Sequence, residues 1–174
     1  MQHIYLRYNH KLEKRGENLM KALSIRQPWA YLIASEQKKI EIRSWSTDYR
    51  GPLLICASSS EQNSWVLNKQ EKAYTLLPFG VMMCVCDLVD VRLMTEEDRE
   101  MAWASDDDKI DGLYAWVLSN PRTVMFNKVI GKLRLFDVDD DLIVPMIDES
   151  KWLDHAKELQ PAKAEINMNS LIFE

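Results

Sequence analysis

An apolar stretch near the middle of the chain constrains the fold more than any other feature. Residues 80–94 read GVMMCVCDLVDVRLM, with only three charged positions among many valines. A run of this length and composition predicts the central strand of a sheet. Residues 52–58, PLLICAS, form a shorter apolar run that predicts a strand buried on both faces. The chain is therefore expected to fold around a sheet.

Further strands and short helices are predicted around these two runs. Strands are predicted at 22–26, 38–45, 113–121 and 129–138, and helices at 29–36, 59–77, 95–104 and 148–159. Pro28 opens the first helix, and a capping-box pair, Thr95 and Asp98, opens the third. About six strands with flanking short helices predict an α+β fold in which the sheet is strongly curved or closed into a barrel.

Length and composition predict one domain, because 174 residues with 47% hydrophobic content suffice for one core. No apolar run reaches the roughly 20 residues of a membrane span, so we expect a cytoplasmic protein with no membrane partner. Residues 1–19 are polar and without period. Our hypothesis is that Met20 is the natural start, that residues 1–19 are a non-native or disordered leader, and that 20–174 form the domain with a C-terminal helix and tail.

The cysteines and histidines narrow the kinds of site. Cys56, Cys84 and Cys86 fall in predicted strands, which indicates core thiols rather than disulfides. All three histidines lie outside the central body of the chain, so histidine-assisted nucleophiles and histidine-rich metal sites are not expected. We predict neither a metal nor a cofactor.

Charge is unevenly distributed along the chain, which has a net charge of −5. Residues 21–50 hold six basic and three acidic residues, whereas residues 87–111 hold ten acidic and three basic ones. The acidic region is typical of a solvated helix face and loop, with a distant catalytic carboxylate as the alternative. The basic region favours an anionic ligand.

A charged motif, KKIEIRSW, occupies residues 38–45 of the basic region. Lys39, Glu41 and Arg43 fall on one face of the predicted strand, and Lys38 falls on the opposite face at its beginning. Such alternation is typical of a salt-bridged surface strand. It also suits a binding site, with Arg43 for a phosphate or base carbonyl, Lys38 as a point charge and Glu41 as acceptor for an exocyclic amine.

Other candidate ligand-binding residues lie close to the motif in sequence. Trp29 and Trp45 flank it, and each is either a packing residue or a platform for a stacked base. Arg50, in a predicted turn, is either solvated or a phosphate ligand.

Residues 23–58, together with the later LYAWVLSNP and VIGKLRLFDV, resemble the ASCH domain family of PUA-like β-barrels over roughly residues 21–138. The family pattern is Gly, any residue, Lys, any two residues, Glu, any residue, Arg. Lys38, Glu41 and Arg43 match it, whereas Glu36 replaces the Gly and Lys39 replaces a common Thr. Without that Gly the turn into the strand must be made in another way.

The resemblance implies a PUA-like fold whose motif strand lines a cleft that binds RNA, a nucleotide or a modified nucleoside. The implied ligand-binding residues are Lys38, Lys39, Glu41, Arg43, Arg50, Trp29 and Trp45. Some similar domains are amidohydrolases that deacylate acetylated cytidine nucleosides, and another is a ribonuclease. A metal-independent hydrolase with Lys38 and Glu41 as catalytic residues is therefore the alternative, although the hydrolase motif has Thr at the position of Glu41. The sequence does not decide between a binding module and an enzyme.

Overall fold

The computed structural model describes residues 18–61, 64–68 and 73–147, which contain eight strands and two short α-helices. The strands are β1 (Leu19–Ile25), β2 (Ile40–Arg43), β3 (Gly51–Ala57), β4 (Trp65–Asn68), β5 (Ala73–Leu76), β6 (Val81–Leu93), β7 (Tyr114–Thr123) and β8 (Leu135–Asp139). The helices are α1 (Trp29–Ala34) and α2 (Arg99–Ala102).

Six strands form one mixed sheet in the order β2-β7-β6-β3-β1-β8. β1 and β3 are parallel, and the other neighbours are antiparallel. β6 pairs with both β3 and β7, and two irregularities in its pairing with β7 bend the ladder. The predicted central strand and the predicted α+β, PUA-like class are confirmed. So is the doubly buried strand, since Leu53–Ala57 of β3 are at most 2% exposed.

The two edges of this sheet approach each other without pairing in the part of the chain that the structure describes. Arg43 of β2 donates to the carbonyl of Ser24 in β1 at 3.2 Å. Arg134, just before β8, lies over the ring of Trp45, just after β2, at 5.6 Å from its centroid. The sheet therefore curls like a barrel that is left open, and we call the region between β2 and the β1–β8 edge the seam.

Helix α1 packs on the main core, as its apolar composition requires. Ala30, Ile33 and Ala34 join the cluster of buried residues from β1, β3 and β6. The helix begins after Pro28, as predicted. Gln27, which is fully buried, accepts the backbone N–H of Tyr31 at 3.0 Å and donates to the carbonyl of Pro78 at 2.6 Å, so one side chain joins the helix start to a distant loop.

The predicted helix over 59–77 is wrong, because β4 and β5 pair there as an antiparallel hairpin. The helix-forming residues at 69–72 between the two strands favoured the wrong element, and cross-strand pairing overrides that local preference. The predicted strand at 129–138 is shorter, since β8 begins at Leu135. The third predicted helix divides into a 3₁₀ turn, Glu96–Asp98, and α2, with its capping box confirmed.

Two predicted segments lie mostly outside the described residues. The C-terminal helix at 148–159 lies wholly outside them. Of the predicted leader, residues 1–17 also lie outside, while Leu19 is the first residue of β1 and pairs with Asp139.

The three cysteines are buried core thiols, as predicted. Burial raises the pKa of Cys56 and of Cys86 to about 12, so both remain protonated and inert near neutral pH.

Within the described residues, no helix has the length and apolar character needed to cross a membrane. No group of three or more histidine, cysteine or carboxylate side chains in the same residues is arranged to hold a metal ion.

Candidate functional site

The turn between α1 and β2 places Lys38, the first residue of the motif. The backbone N–H groups of Gln37 and Lys38 both donate to the carbonyl of Leu32 at 2.9 Å, which closes the helix end. Glu36 adopts the left-handed conformation, with φ of 62°. Glu36 thus makes the reversal that glycine makes with less strain, which explains how the turn forms without the family's Gly.

Lys38 is buried, being only 4% exposed. Its ammonium donates to the carbonyl of Ala102 at the end of α2 and lies 3.7 Å from Oε2 of Glu41. The same ammonium lies 5.3 Å from the ring centroid of Trp29, a cation–π contact. Lys38 therefore connects α1, α2 and β2 through one charged group.

Glu41 lies between two cations and is 5% exposed. Its Oε1 accepts a hydrogen bond from Nη1 of Arg43. Its Oε2 is buried and has no partner within hydrogen-bond distance among the described residues, although the ammonium of Lys38 forms an ion pair with it at 3.7 Å. The lysine, glutamate and arginine of the motif thus form a buried positive–negative–positive group, which we call the KER cluster.

Arg43 is the most exposed member of the KER cluster, with 21% of its side chain accessible. Besides its ion pair it donates to the carbonyls of Ile42 at 2.9 Å and of Ser24 at 3.2 Å. The guanidinium thereby crosses the seam. An approaching ligand therefore meets the cluster through Arg43.

Burial lowers the pKa of Lys38, Glu41 opposes this effect, and Arg43 adds to it. Burying ionised groups is costly, and the mutual attraction of a buried pair offsets that cost only when the remaining hydrogen-bonding positions are satisfied. The described residues leave Oε2 of Glu41 unsatisfied. The KER cluster is therefore an expensive arrangement for structure alone.

A cavity of about 200 Å³ lies on another side of Lys38. Its lining residues are Ile33, Glu36, Lys38, Lys39, Cys86, Leu118, Ser119, Asn120 and Pro121. Lys38 belongs to both the cavity and the KER cluster, whereas Glu41 and Arg43 do not line the cavity. The predicted cleft along all three motif residues is thus divided at Lys38.

The structure brings together Lys38, Glu41, Arg43 and Trp29, but it separates the other predicted site residues from them. Lys39 is exposed, and its backbone carbonyl pairs with Leu118 of β7. The predicted strand began at Lys38, whereas β2 begins only at Ile40. Lys38, in the turn before β2, lies 3.7 Å from Oε2 of Glu41, although the two residues were expected on opposite faces.

Trp45 and Arg50 already have protein partners. The ring of Trp45 packs edge to face against Trp116, with 4.6 Å between the ring centroids. The guanidinium of Arg134 lies over the ring of Trp45 in a cation–π contact. Arg50 pairs with Asp90 at 3.3 Å and donates to nearby backbone carbonyls. A base on Trp45 or a phosphate on Arg50 would have to replace these contacts.

Two contributors to the site were not predicted from the sequence. The carbonyls of Ser24 and Ala102 hold Arg43 and Lys38 in place. Backbone acceptors leave no side-chain signature, so only the three-dimensional fold reveals them.

Comparisons with known proteins agree with this architecture. A family model described as the ASCH domain matches residues 23–128. Activating signal cointegrator 1 from Homo sapiens is 24% identical over 132 residues, which cover 69% of this chain and 22% of that protein, and the Mus musculus protein matches to the same extent. The chain therefore spans about a fifth of the length of these relatives.

Solved structures share the fold. The ASCH protein from Zymomonas mobilis gives a TM-score of 0.50 at 13% identity, covering 71% of this chain and 90% of that one. A serine-to-alanine mutant of the same protein gives a TM-score of 0.51 at 12% identity, with the same coverage. The family model covers more than half of the chain, and the chain belongs to the ASCH domain family.

Proposed function

We propose that this chain is an RNA-binding module that holds one nucleotide of a single strand at the KER cluster. The observation that carries the proposal is Oε2 of Glu41, a buried anionic acceptor between two cations that has no hydrogen-bond partner among the described residues. A buried charged oxygen that has an ion pair but no short hydrogen bond is incompletely satisfied, and this costs free energy. A ligand donor at this position recovers that cost on binding.

The chemistry of the KER cluster suits a nucleotide. Glu41 accepts from an exocyclic amine of a base, and Arg43 donates to a base carbonyl or a phosphate through its planar guanidinium. Trp29 is half-buried and its ring already carries the ammonium of Lys38, so a base stacked on Trp29 would have to share or replace that contact. The same groups would recognise a free nucleotide or a modified nucleoside.

The family and the charge of the chain bear on the size of the ligand. ASCH domains are generally associated with RNA binding. Polynucleotide binding that ignores sequence needs many phosphate contacts, and a chain with a net charge of −5 offers few broad basic surfaces. A short single-stranded segment fits this balance better than a long duplex.

Equilibrium binding of a fluorescein-labelled, random single-stranded RNA pool of about eight nucleotides tests the proposal. Arg43→Gln and Lys38→Met should each weaken binding at least about tenfold, since both remove a cation at the site while keeping most of the side-chain volume. The matched control is Arg122→Gln, which removes an exposed arginine that pairs with Asp87 on β6. Equal affinity of all three variants and the parent chain would refute the proposal.

One observation favours a hydrolase as the second candidate. Burial lowers the pKa of Lys38, and a lysine that acts as a base needs such a lowered pKa. Incubation with acetylated cytidine tests this function. Release of cytidine by the parent chain and its loss in Lys38→Met would support the amidohydrolase, whereas RNA binding without product would support the binding module. Cleavage of the labelled RNA pool, followed on a gel, tests the ribonuclease alternative in the same samples.

A further inference from the structure

A basic loop borders the seam next to the KER cluster. Residues 128–134 read KVIGKLR, with three cations and no acidic residue. Its apolar side chains are unusually exposed, Ile130 at 88% and Leu133 at 94%. We call residues 128–134 the seam loop.

The cations of the seam loop differ from most other basic side chains in their partners. Across the described residues, most other basic side chains pair with an acid, as Lys21 does with Asp137 and Arg122 does with Asp87. Lys128, Lys132 and Arg134 make no ion pair within 4.0 Å in the same part of the chain. In a chain with a net charge of −5, three such cations within seven residues form a local positive surface.

The seam loop is held at both ends. The backbone of Lys128 forms an isolated antiparallel β-bridge with Val81 of β6. The N–H of Val129 donates to the carbonyl of Gly80 at 3.0 Å. Arg134 lies over Trp45 at 5.6 Å. The loop therefore has a fixed position from which it presents its cations beside the seam.

Gly131 places the middle of the loop against the strand that Arg43 contacts. A Cβ built on Gly131 would collide with Oγ of Ser24, so any larger residue requires the Ser24 hydroxyl or the loop to shift. Ser24 is the residue whose carbonyl binds Arg43 of the KER cluster. One residue of β1 thus touches both the seam loop and the cluster.

We propose that the seam loop binds the phosphates of the nucleotides that flank the one held at the KER cluster. This inference rests on the proposed function. Lys128, Lys132 and Arg134 supply the cations for consecutive phosphates, and the exposed Ile130 and Leu133 pack against the ribose and base faces between them. The loop borders the cluster through Ser24, so a strand that leaves the cluster across the seam passes over it.

The salt dependence of RNA binding tests the inference, because each phosphate contact in a single strand contributes about 0.7 to the slope of log affinity against log salt. Binding of the labelled RNA pool is measured from about 50 to 200 mM salt. Lys132→Gln should lower the slope by about 0.7, and the triple variant Lys128→Gln/Lys132→Gln/Arg134→Gln by about 2. Lys109→Gln, an exposed lysine of the acidic loop, is the matched control and should leave the slope unchanged.

The outcomes separate this inference from the proposed function. If the parent chain does not bind the RNA pool, the proposed function fails and the inference fails with it. If the parent chain binds, Arg43→Gln weakens binding and the triple variant keeps both affinity and slope, the inference is overturned and the proposed function stands. Loss of binding to vesicles with anionic lipids in the triple variant, with RNA binding unchanged, would assign the loop to a membrane surface and would also overturn it.

The substitution Gly131→Ala tests the position of the loop without removing a charge. The added methyl group would collide with the Ser24 hydroxyl, which must rotate away or let the loop shift, so affinity for the RNA pool should fall modestly while a melting curve shows a folded domain. Unchanged affinity and slope in this variant and in the triple variant together would exclude the loop as an RNA contact.

Discussion

Glu41 and Asp98 are both buried carboxylates paired with an arginine, yet their surroundings differ. Asp98 is 1% exposed and receives two hydrogen bonds from Arg92, each of 2.6 Å. It also accepts the backbone N–H of Thr95 at 2.9 Å and the Thr95 hydroxyl at 3.0 Å. Glu41, at 5% exposed, keeps one oxygen without any hydrogen bond in the described residues.

The difference separates a structural ion pair from a candidate binding group. Both oxygens of Asp98 accept hydrogen bonds, which begin the 3₁₀ turn and hold Arg92, so little capacity remains for a ligand. Glu41 is equally hidden but incompletely satisfied within the described residues, which lowers stability unless another molecule completes it. Burial alone does not identify a functional carboxylate. Burial together with an oxygen that lacks a hydrogen bond is a stronger indication.

Asp98→Asn should clearly destabilise the domain. The substitution removes the charge that four hydrogen bonds share and disrupts the capping box, for an expected loss of about 2–3 kcal/mol in the free energy of unfolding. Urea unfolding monitored by tryptophan fluorescence measures it. RNA affinity at urea concentrations well below the unfolding transition should stay unchanged. A loss of RNA affinity without a loss of stability would show that Asp98, and not only Glu41, belongs to the binding site.

The stability of the parent chain should fall in acid in a way that Asp98→Asn removes. The hydrogen bonds from Arg92 hold the pKa of Asp98 at about 2, below its ordinary value of 3.8. A depressed folded-state pKa contributes stability above the unfolded pKa and loses it as pH falls, here between about pH 5 and pH 2. The contribution is on the order of 2 kcal/mol. Urea midpoints at several pH values in this range should show a shallower fall for Asp98→Asn, and parallel curves would contradict the assignment.

Glu36→Gly should stabilise the domain by about 0.5–1 kcal/mol, the smallest effect predicted. Glycine adopts the left-handed conformation at the end of α1 with less strain than glutamate, although it also raises the entropy of the unfolded chain. Glu36→Ala removes the same charge without relieving the backbone and is the matched control. Equal midpoints for the two variants would show that the turn into Lys38 is not strained.

Local patterns in the sequence predicted the elements that nearby residues determine. The apolar runs of β3 and β6 and the Thr95–Asp98 capping box are examples. The β4–β5 hairpin was missed because its neighbours include strong helix formers, and only pairing between strands decides between the two structures. Partners such as Asp90 for Arg50 lie far apart in the sequence, so the sequence pattern could not supply them.

The same limit applied at the site. The motif identified Lys38, Glu41 and Arg43, but the predicted strand began two residues too early, so the position of Lys38 in the turn before β2 was missed. The left-handed Glu36 lies just after the end of α1 at Ala34, and β2 begins only at Ile40. The burial of Lys38 under α2 follows from that turn and could not be inferred from the period of the strand.

The most direct test replaces the buried pair by apolar residues of similar size, in the double variant Lys38→Met/Glu41→Leu. If the KER cluster is kept for a ligand, the free energy of unfolding should stay within about 1 kcal/mol of the parent chain or rise, because apolar replacement of a buried ion pair is often neutral or stabilising. RNA affinity should fall at least about tenfold in the same protein. A loss of several kcal/mol with unchanged RNA affinity would show that the cluster is structural, as Asp98 is, and would contradict the proposed site.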